Sequence, residues 1–123
     1  MFVSIHLNGG TTDDNVYVVY QQGKSNETAS IELAKQIVLN LSDVMKTSSN
    51  SVAMVKERTR FSNLAVLNGF KGRAGVLVEL GSVQSSANRK NLNKNAAIIG
   101  YRIAAAMYTN LTGKAPFPLG MMF

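Results

Sequence analysis

One short run constrains this chain more than any other. Gly75-Val76-Leu77-Val78-Glu79-Leu80 is apolar at nearly every position yet carries a carboxylate. A strand with one wet face alternates apolar and polar residues. A nearly continuous apolar strand, here Ala74 to Leu80, is covered on both faces, as happens where helices pack onto a sheet. Burying an unpaired carboxylate costs several kcal/mol or drives its pKa upward. Glu79 therefore has two structural readings and one functional reading. It could pair with Arg58, Arg60 or Arg73, or mark a strand end that reaches solvent. Or it is a general acid–base group whose raised pKa suits proton transfer.

The rest of the chain supplies elements to cover such a strand. Phe2 to Ile5 alternates and runs into His6-Leu7-Asn8-Gly9-Gly10, a short strand ending in a glycine turn. Val16 to Tyr20 is β-branched and aromatic, a second strand. From Glu27 to Lys46 the apolar residues Ile31, Ala34, Ile37, Val38, Leu41, Val44 and Met45 recur at helical spacing, with Ser25 or Asn26 as the cap. Val52 to Val55 and Leu64 to Leu67 read as short strands, and Asn68 to Gly72 as a turn. A last helix is expected from Asn88 to Leu111, with Leu92, Ile99, Ile103, Met107 and Leu111 on one side. Gly113 closes it, and Pro116 and Pro118 forbid continuation. The order of strands and helices argues for a layered α/β domain, a sheet flanked by helices. Residues 1–113 form the domain, and 114–123 an apolar tail.

With 123 residues, one domain is expected. The absence of cysteine excludes disulfides and thiolate metal sites. The first residues lack a basic stretch and a small-residue cleavage site, so no signal peptide is read there. No apolar run reaches the roughly 20 residues a membrane span needs. The net charge of +6 favours polyanionic partners such as nucleic acid, anionic lipid or a bacterial wall. The basic residues are scattered and carry no interleaved aromatic motif, which argues against specific nucleic-acid binding. His6, the only histidine, ends a strand where ligand sites of open α/β sheets gather.

Two islands carry a family resemblance. Phe2-Val3-Ser4-Ile5-His6-Leu7-Asn8 resembles the F-[VI]-S-I-H-x-N segment of the zinc-dependent N-acetylmuramoyl-L-alanine amidases, the type-3 family of wall remodelling and phage endolysins. Gly75 to Gly81 resembles that family's A-V-L-V-E-x-G segment. Between them, Ser30 with Leu33-Ala34 is similar to its S-x-x-L-A helix, and Leu64-Ala65-Val66-Leu67 to its L-x-V-L strand. The final helix, through Tyr101, Ile103-Ala104 and Ala105-Ala106, is similar as well.

The resemblance implies that His6 is a zinc (Zn2+) ligand and Glu79 the catalytic carboxylate. Asn8, Arg58 and Arg60 would touch substrate. It implies hydrolysis of the amide between N-acetylmuramic acid and L-alanine of peptidoglycan, by zinc-activated water, at the cell envelope, outside the cell or from a phage lysin. The family's other two zinc ligands, its first strand and its first helices lie upstream of the S-I-H segment. An open sheet edge inviting homo-oligomers is therefore expected. Where the family places an aromatic residue and S-N after E-x-G, Ser82, Val83, Gln84 and Ser85 stand here. The alternative is a non-catalytic wall-binding remnant of the same fold.

Overall fold

The computed structural model describes residues 1–55, 67 and 69–116. Its elements are β1 (Phe2–Asn8), β2 (Val16–Gln21), α1 (Glu27–Leu41), β3 (Val52–Val55), β4 (Gly75–Ser82) and α2 (Ser86–Thr112). The strands make one mixed sheet in the order β1-β4-β2-β3. β1 runs parallel to β4, β4 antiparallel to β2, and β2 parallel to β3. β4 thus lies between the two strands that open the chain. Its neighbours satisfy its backbone on both edges, which lets so apolar a segment be buried throughout except at Glu79.

Strand alternation divides the sheet into two faces. Val16 and Val18 of β2 and Val76, Val78 and Leu80 of β4 point to one side. There they meet Leu33, Ala34, Ile37 and Leu41 of α1 and Ile99, Ile103 and Ala106 of α2. Leu33, Ile37 and Leu41 are fully buried, each stabilising the fold by about 1.5–3 kcal/mol at most. The residues between point the other way. Val19 and Leu77 pack there with Leu67, flanked by Phe2, Ala53 and Val55. Phe2 also packs on Phe70, ring centroids 5.5 Å apart.

Several local expectations change in the folded chain. α1 ends at Leu41 rather than Lys46. The N–H groups of Ser42 and Val44 donate three residues back, to Leu39 and Leu41, tightening the turn. That turn buries Met45 and brings the Lys46 carbonyl to the Val16 N–H at 2.8 Å, joining it to the start of β2. Asn26 is the N-cap residue, but its side chain donates to the Gly72 carbonyl at 2.9 Å instead of capping. α2 starts at Ser86, with Ser85 accepting the Asn88 N–H, and ends as expected on Gly113 in the left-handed region (φ 71°). A non-helical residue, Asn95, kinks it. Leu111 is 50% exposed, not inward, because Asn110 holds the buried position. Arg73 donates to the Asn110 carbonyl at 2.7 Å.

The two helices are clamped by Arg102, which donates to both Asp43 carboxylate oxygens (2.6 and 3.0 Å) and to the Asn40 carbonyl (2.9 Å). Of the strand expected at Leu64–Leu67, residues 64–66 lie outside the described residues. Leu67 itself has helical backbone, so the strand does not extend to it. Phe117 to Phe123 also lie outside the described residues. Among the described residues no helix is long and apolar enough to cross a membrane.

Candidate active site

The insertion of β4 between β1 and β2 decides what meets what. His6 of β1 stands in register with Glu79 of β4, and Tyr17 of β2 is in register with the same Glu79 from the other side. Because Val16, Val18, Val78 and Leu80 turn toward the helices, the row His6–Glu79–Tyr17 lies on the opposite face. Ser4, two residues from His6, shares that face. Its Oγ is hydrogen-bonded to His6 Nε2 at 2.8 Å, so one ring nitrogen is engaged within β1. His6 is exposed, and Glu79 is partly buried.

The strand end just past Glu79 is held by an irregularity. Register shifts between His6 and Asn8, so that Asn8 stands opposite Ser82. Gly81 absorbs the shift at φ 74°, and a Cβ there would come within 2.7–2.9 Å of the Asn88 side chain. Asn88, buried, donates to the carbonyls of Leu80 (2.8 Å) and Ser82 (3.1 Å). The Asn8 carbonyl accepts the Val83 N–H at 2.9 Å. The Ser82 hydroxyl donates to the Thr11 carbonyl, and the Ser85 hydroxyl to Asp14 at 3.0 Å. The loop after β1 and the turn after β4 are thereby stitched together beside the row.

Electrostatics set Glu79 apart. Desolvation pushes its pKa above the ordinary glutamate range, and the nearby His6 charge pulls in the other direction. Tyr17 is pushed up, first by its hydrogen bond to Asp13, then by burial and by the charges of Asp13 and Glu79. Asp13 is held below the usual carboxylate range by Tyr17 first, and then by the Asn15 backbone and side chain.

The sequence-derived candidates fall into three groups. His6 and Glu79 come together, and Asn8 lies at the end of β1 beside them. Arg58 and Arg60 lie outside the described residues. Arg73 sits at the opposite end of β4, and its bond to Asn110 turns it away from any pairing with Glu79. It lines, with Ser25, Asn26, Thr28 and Lys71, an open cleft of about 540 Å³ at the start of α1, remote from the row. Among the described residues the ion pair is Arg102–Asp43, which does not involve Glu79. No three His, Cys, Asp or Glu side chains among the described residues could hold one metal ion. His6 and Glu79 alone do not fit the three-ligand requirement of a zinc site. Tyr17 was not legible as a site residue, because an aromatic in a β-branched strand reads as core. The polar run Asp13-Asp14-Asn15 directly before the strand was the available signal.

A mixed sheet with two helices on one face makes this an α/β protein, and on its other face a strand-borne imidazole stands beside a strand-borne carboxylate. The profile of the N-acetylmuramoyl-L-alanine amidase family matches residues 1–109, and the chain belongs to that family. The family is generally zinc-dependent. The fold is similar to that of the CwlD amidase from Clostridioides difficile, whose structure was solved in complex with the GerS lipoprotein. The TM-score is 0.67 at 26% identity, over 93% of this chain and 55% of that one. The chain thus spans about half the length of that structure. Among curated proteins none matches it in sequence.

Proposed function

We propose that this chain carries the acid–base half of a peptidoglycan amidase site, acting on the amide between N-acetylmuramic acid and L-alanine of the stem peptide. The observation that carries this reading is the pairing of His6 with Glu79 in adjacent strands. An amide is a weak electrophile and its nitrogen a poor leaving group until protonated. Glu79, partly desolvated and with its pKa raised above the ordinary glutamate range, is a stronger base than a free carboxylate, suited to take a proton from attacking water and deliver it to the departing amine. His6 is the imidazole that the family uses for zinc, and Asn8 stands at the rim to touch substrate, with Arg58 and Arg60 as further candidates. Among the described residues His6 and Glu79 do not by themselves complete a three-ligand zinc site. Residues 1–113 are taken as the amidase-like unit, working at the cell envelope or outside the cell.

Glu79→Gln tests the reading, because it keeps volume and hydrogen-bonding reach but cannot act as a base. Release of the peptide from a muramyl-peptide substrate should fall by about 10²- to 10⁴-fold. The melting temperature should hold or rise, as a costly partly buried charge is removed without opening a cavity. A strongly destabilised variant, with activity lost only in proportion to unfolding, would sink the catalytic role. Zinc gives a second measurement. One imidazole should hold it weakly, so metal retained after dialysis should be well below one per chain, and His6→Ala should remove the remainder. The incomplete ligand set favours one other reading, a wall-binding module without catalysis. Binding to peptidoglycan sacculi with no peptide release at any zinc concentration would select it.

A further inference from the structure

Tyr17 has chemistry that the acid–base pair does not use. It stands in register with Glu79 on the side away from His6. Its hydroxyl donates to Asp13 Oδ2 at 2.6 Å, a short, charge-assisted bond. Asp13 is aimed at it by an Asx turn, in which Oδ1 accepts the Asn15 N–H at 2.9 Å and its Nδ2 at 2.7 Å. The Asp13 N–H is itself held by the Thr11 hydroxyl at 3.1 Å. All three residues belong to the connection between β1 and β2, which leaves β1 directly after His6 and Asn8. That connection opens with Gly9 and Gly10, around which there is open space, so little else packs against its first turn. Ser82 and Ser85 tie the connection to the turn after β4, whereas Asp13 ties it to the row itself.

We propose that Tyr17, locked by Asp13, is a positioning residue of the site. It fixes the 9–15 connection as the wall beyond Glu79 and so shapes the place where a muramyl peptide lies against the carboxylate. The inference rests on the amidase reading and adds to it a specificity element. A tyrosine kept only for its ring would serve equally as phenylalanine, so the hydroxyl is the part to test. The hydrogen bond to Asp13 raises the tyrosine pKa above its ordinary value, consistent with the hydroxyl as donor.

The test uses the whole chain with Tyr17→Phe, Asp13→Ala, the double variant and Asp13→Asn. Muramyl dipeptide is the binding probe, by calorimetry or NMR titration, beside kcat and KM on a muramyl-peptide substrate and thermal melts. Each of the first two variants should weaken dipeptide binding by about 10- to 150-fold, the worth of one hydrogen bond to a charged group. KM should rise correspondingly, with kcat within about threefold of the parent. The double variant should be no weaker than either single, because the pair acts as one unit. Asp13→Asn keeps one acceptor oxygen where the carboxylate uses both, Oδ1 for Asn15 and Oδ2 for Tyr17, so it should recover only part of the affinity. Binding equal to the parent in Tyr17→Phe and Asp13→Ala overturns the positioning role and leaves the amidase reading standing. Losses of affinity that simply track losses of melting temperature overturn it too. If the parent chain neither binds the dipeptide nor releases peptide, the amidase reading fails and this inference falls with it.

Discussion

The two faces of the sheet are made by the same strands yet do different work. Val16, Val18, Val76, Val78 and Leu80 face α1 and α2 in an apolar layer. One residue along, the opposite face is apolar only toward one end, where Val19, Leu77, Leu67 and Phe2 gather. At its other end it carries His6, Glu79 and Tyr17, with Ser4 in the row of Leu77 and Val19. Period-two geometry lets a single strand serve both purposes, because neighbouring side chains never share surroundings. The covered face supplies stability from close-packed aliphatic contacts. The other face can then hold a carboxylate at a shifted pKa without the fold depending on it.

That division can be broken experimentally. Ile37→Ala, in the fully buried layer, should destabilise the chain by about 2–5 kcal/mol in urea unfolding. Ser4→Ala on the other face should leave the midpoint nearly unchanged. Equal losses from the two would mean that the faces do not divide the work as described. A smaller but distinct effect is expected at Ser30, whose buried hydroxyl accepts the Gly75 N–H at 3.0 Å and so joins α1 to β4. Ser30→Ala should cost about 1–3 kcal/mol by leaving that donor unpaired.

The site face should reveal itself through pH instead. The folded pKa of Glu79 is raised, so the folded state binds the proton more tightly than the unfolded chain does. Its contribution to stability is therefore full in acid, below the ordinary glutamate range, and is lost as pH rises through the folded pKa. Denaturation curves from acid to neutral pH should show this decline in the parent and not in Glu79→Gln. The variant should be relatively more stable at neutral pH, the difference vanishing in acid. Asp13, whose pKa is lowered, works with the opposite sign: its contribution is present above the ordinary aspartate range and fades as pH falls.

The smallest effect on stability is expected at the edge. β1 is the outer strand of the sheet, and Ile5 (55% exposed) and Leu7 (45%) stand bare on its helix-side face. Such an edge invites pairing between copies. We expect self-association at high concentration, relieved by Ile5→Lys with Leu7→Lys at little change in melting temperature. A parent chain that stays monomeric by light scattering would count against it.

Much of this molecule is written locally. The buried stripe Leu33, Ala34, Ile37 and Leu41 follows from helical spacing, and Gly113 ends α2 because it tolerates the left-handed turn. The double-sided burial of β4 was visible in its composition, since few neighbouring side chains there could accept water. The meeting of Glu79 with His6 was expected only through resemblance, and its meeting with Tyr17 not at all. Strand order is a property of pairings between distant segments, and no residue in β1 or β2 announces that β4 will enter between them. The same is true of Leu111, whose outward turn depends on which residue of α2 reaches the Ala29 and Arg73 side of the fold. Periodicity is fixed by the geometry of one strand or one helix, and so it can be read along the chain. Neighbours across a sheet are chosen by how all the elements together bury apolar surface, and that choice exists only once the chain has folded.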